Sequence, residues 1–189
     1  MRNDNKTKDF AVFISGRGSN LEAILKADLR PKVVISSNPD AKGLNIARDY
    51  NIPTEVVDGK GFNKKDDFNK ELKKVADIYK PNLIVLAGFM KILSADFLLS
   101  YPRTINIHPS LLPKFPGLDT HRRVIEAGEK ETGVTIHWVD SGIDTGEIIK
   151  QVCVKTFPND TPEALSERVL REEHAIYPCI IREILEKSY

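Results

Sequence analysis

Short apolar runs alternate with segments of helical spacing along most of the chain. FAVFIS (10–15), KVVISS (32–37) and NLIVLAG (82–88) are almost continuously apolar, the pattern of strands covered on both faces. Between them LEAILKA (21–27) and AKGLNIARDY (41–50) have helical spacing, PTEVV (53–57) reads as a further strand, and NPD (38–40) as a turn. A charged segment from Lys64 to Lys80 places Phe68, Leu72, Val75 and Ile78 on one stripe and stops at Pro81. Strands alternating with helices imply right-handed crossovers and a mostly parallel central sheet, the doubly wound α/β architecture.

After Gly88 the texture changes. TINIH (104–108), TGVTIHWV (132–139) and EIIKQVCVK (147–155) read as strands, with little helix between them except HRRVIEAG (121–128). Some antiparallel pairing is expected in this C-terminal half. A last helix opens with Thr161 as N-cap and Pro162 in its first turn. It turns Leu165, Val169, Ile176 and Ile180 toward the core, and Pro178 predicts a kink. No repeat, low-complexity tract or linker divides the 189 residues, so one domain is expected over 1–189.

The formal net charge is +1, so no polybasic field invites nucleic acid or an acidic membrane surface. Cys153 and Cys179 cannot form a disulfide framework; their apolar neighbours predict buried, reduced thiols. The start, MRNDNKTKD, lacks the apolar stretch of a signal peptide. NLIVLAGFM is too short to span a bilayer. A cytoplasmic protein is expected.

Two places carry chemistry. SGRGSN follows the first strand and leads into a helix, where Gly16 and Gly18 permit close backbone approach. Ser19 and first-turn amides could then hold an anion at the positive helix end. The loop fits a plain strand-to-helix turn and a monophosphate site alike. A dinucleotide site would need a third glycine where Leu21 stands, and no Gly-Lys-Ser/Thr of a triphosphate loop is present. The four histidines, at 108, 121, 137 and 174, show no metal-ligand spacing. His137 reads as a satisfied strand side chain, and His121 and His174 as solvated or capping helix residues.

INIHPSLLPKFPG (105–117) is the second place. Asn106 and His108 are two apart, so on an extended chain both side chains leave one face, and Pro109 ends the ladder there. VDSGIDTGEII (139–149) is longer than a hairpin requires. It is either a solvated acidic loop with Asx turns or the source of a carboxylate, Asp144, that reaches back to orient His108. Amide, imidazole and carboxylate together would suit acyl-type transfer to an amine, with Asn106 holding the developing oxyanion.

ISGRGSNL, LAGFMKILS and INIHPSLLPKFPGLDTHR, supported by GVTIHWVDSGIDTG and EEHAIYP, together resemble the glycinamide ribonucleotide formyltransferase family, from the first strand to the last helix. The resemblance implies a formyltransferase-like fold with a phosphate-binding half (1–100) and a catalytic, folate-binding half (101–189). It implies formyl transfer from 10-formyltetrahydrofolate to the amine of 5-phosphoribosyl-glycinamide in purine synthesis, without metal or nicotinamide, acting on small molecules only. By position, Asn106, His108 and Asp144 match the catalytic trio, and Gly18, Ser19, Asn20 and Glu173 the ribonucleotide site. Met90, Lys91, Ile92 and Leu93 match the folate wall. The loop of Asp140, Ser141, Gly142, Ile143 and Asp144 would close over the pterin. Lys65 and Lys91 stand where arginine is common, and Lys65 would contact the folate without arginine's planar fork. Glu147 replaces a frequent proline. Glu173 by itself reads as a surface helix residue.

The nearest alternative is a formyltetrahydrofolate hydrolase of the same fold, expected to carry an extra N-terminal regulatory domain. A transfer-RNA formyltransferase would carry a C-terminal RNA-binding domain. A nicotinamide oxidoreductase fails on the missing third glycine.

Overall fold

The computed structural model describes residues 9–187; the polar start read above as lacking a signal peptide lies almost wholly outside them. Strands β1 (Phe10–Ile14), β2 (Val33–Ser36), β3 (Thr54–Val56), β4 (Leu83–Leu86), β5 (Thr104–His108), β6 (Glu131–Trp138) and β7 (Ile148–Lys155) form one sheet in the order β3-β2-β1-β4-β5-β6-β7. Pairing is parallel from β3 to β5 and antiparallel for β5–β6 and β6–β7. The mixed sheet agrees with the two textures of the sequence.

Helices α1 (Ser19–Lys26), α2 (Gly43–Asp49), α3 (Lys65–Tyr79), α4 (Ala95–Ser100), α5 (Thr120–Glu126) and α6 (Pro162–Glu186) cover the sheet. β1 shows how the sequence specifies both layers. Phe10, Val12 and Ile14 pack with Leu21, Ile24 and Leu44 of α1 and α2 and with Val169 and Tyr177 of α6. Ala11 and Phe13 point the other way, against Phe68 and Leu72 of α3 and Phe97 of α4. Each fully buried Val, Ile or Phe of such a strand contributes roughly 1.5–3 kcal/mol. A strand with two apolar faces therefore has to sit at the centre.

α4 has no counterpart in the sequence reading; its six residues are too few to show a period, though Ser94 caps it by accepting from Phe97 N–H at 3.2 Å. On α3, Phe68 and Leu72 are buried but Ile78 is 72% exposed, which corrects the four-residue stripe: the buried face continues through Ala76, with Val75 and Tyr79 packed beside it, and Ile78 lies on the outer side. α6 begins at the expected Thr161 cap, whose Oγ1 accepts from Ala164 N–H, and runs as one helix through Pro178. Both cysteines are exposed, not buried. β7 is an edge strand with one face in solvent, and Cys179 lies on the outer side of α6, so apolar neighbours misled the reading. No helix among the described residues is long and apolar enough to cross a membrane.

Strand order reverses between β1 and β4, each of which leads away in the opposite direction. In open α/β sheets that switch point opens a crevice at the carboxyl ends of the strands. The loops after β1, β4 and β5 all empty into it.

Candidate active site

The crevice is a cavity of about 1180 Å³. Its wall includes Arg17–Asn20, Phe89–Leu93, Asn106–Pro109, Gly117–Arg122, His137, Gly142–Asp144 and Glu173. A single small-molecule site usually occupies about 300–1,000 Å³, so this one is large enough to seat two ligands side by side.

One end is formed by the start of α1. Gly18 caps α1 at φ 81, and a Cβ there would lie 2.5 Å from Gly43 Cα. Only glycine therefore lets the starts of α1 and α2 meet. No side chain caps α1, so its positive end faces the cavity. Asn20 is held by its Nδ2 donating to Glu173 Oε2 at 2.6 Å, while its Oδ1 is buried without a partner. Glu173 is only 8% exposed, which corrects its reading as a surface residue. Burial pushes its carboxyl above the ordinary range, and the Asn20 hydrogen bond offsets only part of that. The sequence offered one clue: Glu173 lies two turns along α6 from Leu165 and one turn from Val169 and Tyr177, all buried.

The other end is apolar. Met90 and Ile92, 66% and 50% exposed, line it, whereas Leu93 is buried beneath. Ser15 Oγ accepts from Met90 N–H at 2.8 Å and clamps this segment to the glycine loop. Lys91 sends its ammonium to Gly59 O at 3.3 Å and over the Phe68 ring. Lys65 begins α3, is exposed, and lies outside the cavity wall. Ser141 is likewise exposed and off the wall, unlike Asp140, Gly142, Ile143 and Asp144.

Between the two ends the expected trio converges. Asp144 Oδ2 lies 3.2 Å from His108 Nδ1 and accepts from Gly117 N–H at 2.8 Å; Oδ1 lies 3.4 Å from Asn106 Nδ2. The acidic loop divides its two aspartates between the two readings. Asp140 stays at home, accepting from Gly142 N–H and Thr145 Oγ1 in its own turn. Asp144, at φ 54, turns inward. Burial pushes the Asp144 carboxyl up, but hydrogen bonds from His137 and Gly117 N–H, with the charges of His108 and His137, outweigh it and hold the group below its ordinary value.

His108 is 5% exposed and its second ring nitrogen, Nε2, donates to Phe115 O at 2.8 Å. Both nitrogens thus face oxygen acceptors, which a protonated ring satisfies together. Phe115 presents that carbonyl from φ 55, a conformation costing a bulky residue on the order of 1–3 kcal/mol. The loop is pinned to hold it. Ser110 Oγ donates to Lys114 O, Thr135 Oγ1 donates to Ser110 O, and Gln151 Nε2 donates to Leu112 O. The proline-rich stretch is a rigid cradle for the imidazole.

His137 is the satisfied strand residue expected, and it also belongs to the cluster, which the sequence reading did not assign. Its Nδ1 donates to Trp138 O, and its Nε2 sits 3.3 Å from Asn106 Nδ2 and 3.5 Å from Asp144 Oδ1. β6 lies antiparallel to β5 with His137 opposite Asn106, a register that neither segment shows alone. His121 also lines the cavity with Nδ1 buried and unpartnered; burial first, then His108, lowers its pKa. Among the described residues no group of three or more His, Cys, Asp or Glu is placed to hold a metal ion.

Residues 8–181 match the formyl transferase family model. The chain is 43% identical over 180 residues to the phosphoribosylglycinamide formyltransferase of Escherichia coli, covering 92% of this chain and 85% of that one. A solved phosphoribosylglycinamide formyltransferase from Coxiella burnetii is 45% identical with a TM-score of 0.87, over 92% of this chain and 84% of that one. The glycinamide ribonucleotide transformylase 1 of Symbiobacterium toebii superposes at a TM-score of 0.91 with 40% identity, over 94% and 87% of the two chains.

Proposed function

The chain belongs to the formyl transferase family, and we propose that it transfers a formyl group from 10-formyltetrahydrofolate to the amine of 5-phosphoribosyl-glycinamide in purine synthesis. One observation carries this reading: Asp144 gathers Asn106, His108 and His137 where the anion end of the cavity meets its apolar end. A phosphorylated amine and a flat pterin-bearing donor entering from opposite ends would meet at these groups.

The ribonucleotide phosphate sits against the uncapped first turn of α1 with Gly18, Ser19 and Asn20, and Glu173 reaches its sugar side. Met90–Leu93 and the Asp140–Asp144 loop face the folate. Lys91, already in the cavity wall, is better placed than Lys65 to meet its acidic tail. The folate co-substrate, when bound, supplies an activated formyl carbonyl.

Asn106 Nδ2 holds its free-state partners at 3.3 and 3.4 Å. Such long contacts give way readily to a shorter one toward an oxygen gaining negative charge. A donor of this kind contributes about 3 kcal/mol to the transition state. His108, when protonated, adds a fixed positive charge beside that oxygen and is the member of the trio that can both hold and release a proton. Asp144 is held ionised, which makes it an orienting charge and not a proton carrier. Fixing these groups on strand ends and a stiff loop places them before the substrate arrives.

The test is spectroscopic. Folate turnover is followed with purified protein, with and without the glycinamide ribonucleotide. Turnover dependent on the ribonucleotide supports the proposal; steady release of formate with water alone would identify a hydrolase instead.

A further inference from the structure

Tyr177 is among the largest side chains with no exposure at all. A buried phenol needs a partner for its hydroxyl, and this one has two backbone carbonyls from different strands. Its Oη donates to Leu86 O at 2.8 Å and lies 3.4 Å from Ile105 O. Leu86 and Asn106 form the last rung of the β4–β5 ladder. Beyond it the strands part. β4 turns away through Gly88, at φ 73, into the Met90–Leu93 wall, while β5 goes on to His108 with only β6 beside it. On its own helix Tyr177 lies one turn from Glu173, and after burial it is Glu173 that raises its phenol further.

We propose that Tyr177 is a positioning residue for the transfer: its hydroxyl sets the separation of β4 and β5 at their last rung, and so places Asn106 relative to both ends of the cavity. The inference rests on the functional reading above. Sheet hydrogen bonds define the rung on one side only of each carbonyl's lone pairs. The phenol occupies the remaining direction, from the α6 layer, and ties the helix bearing Glu173 to the strand bearing Asn106. Without it the peptide before Asn106 loses a hydrogen bond from that layer and keeps only the apolar packing of Ile105, and a misplacement of 1 Å at a reacting group can cost about 100-fold in rate.

Tyr177→Phe keeps the ring and removes only the donor. At a temperature well below melting, kcat is expected to fall about tenfold while both Michaelis constants stay within about threefold. In an Asn106→Ala background the same change is expected to have almost no further effect, because the residue through which it acts is gone. A fall in kcat of less than about threefold, or an equal fall in the Asn106→Ala background, overturns the proposal, even if the melting temperature drops. Should the Phe variant not fold, 4-fluorophenylalanine and 4-aminophenylalanine at position 177 are compared, since only the second retains a donor. A higher kcat for the amino variant supports the proposal, and equal values overturn it. Inactivity of the parent protein, by contrast, would refute the functional reading itself.

Discussion

Asp144 Oδ2 lies 3.2 Å from His108 Nδ1 while Gly117 N–H donates to the same oxygen at 2.8 Å. One carboxylate oxygen thus joins the acidic loop, the end of β5 and the entrance to α5. Asp144→Asn keeps the shape but removes the charge and replaces one oxygen with a donor facing a donor. Turnover should fall at least about 100-fold, with a shifted pH–rate profile. Full activity with an unchanged profile would remove Asp144 from the site.

The anion end makes a separate claim. Ser19→Ala and Asn20→Ala should raise the Michaelis constant for the ribonucleotide about tenfold or more, with kcat and the folate constant changed less. Initial-rate kinetics in both substrates check this. An unchanged ribonucleotide constant would place the phosphate elsewhere.

Glu173 sets stability against binding. Its carboxyl is raised by burial, so the folded state holds the proton more tightly than the unfolded one. Stability tied to this group is present at acid pH and lost as pH rises through the folded value. Glu173→Gln should therefore melt higher than the parent at pH 7.5, by about 2–4 °C for each kcal/mol recovered, while binding the ribonucleotide more weakly. Parallel melting curves from pH 5 to 8 for both proteins would contradict the assignment.

Asp160 behaves in the opposite sense. Its carboxylate receives both arms of Arg168 at 2.7 and 2.8 Å, and Phe157 N–H. The Arg168 hydrogen bonds, assisted by Phe157 N–H against burial, hold it at about 2. The stabilisation is complete above the ordinary carboxylate value of about 3.9 and is lost as pH falls through about 2. Asp160→Asn should melt lower than the parent at pH 6, and the difference should shrink toward pH 2. A gap independent of pH would mean that packing, not charge, holds this corner.

Much of this was legible in the residues. Continuous apolar runs announced buried strands because both faces of β1, β2 and β4 are covered. Two-residue spacing announced Asn106 and His108, since side-chain direction on a strand is local information. Asp144 could only be suggested, because its inward turn depends on a positive φ and on Gly117 across the loop. His137 was legible as a satisfied strand side chain but not as a neighbour of Asn106, because alternation tells which face a residue shares, not which strand lies beside it. The exposed cysteines show the same limit, as an apolar neighbourhood in sequence says nothing of a sheet edge, where Cys153 lies, or of the outer side of a helix, where Cys179 lies. Glu173 was hidden by chemistry, a charged residue on a buried helical face whose partner, Asn20, comes from the first helix.

His108 serves the proposed reaction and not the fold. The most direct measurement is kcat for His108→Ala, with circular dichroism on the same preparation. An intact fold and turnover reduced about 10²–10⁴-fold are expected. A folded His108→Ala protein turning over at nearly the parent's rate would contradict that role.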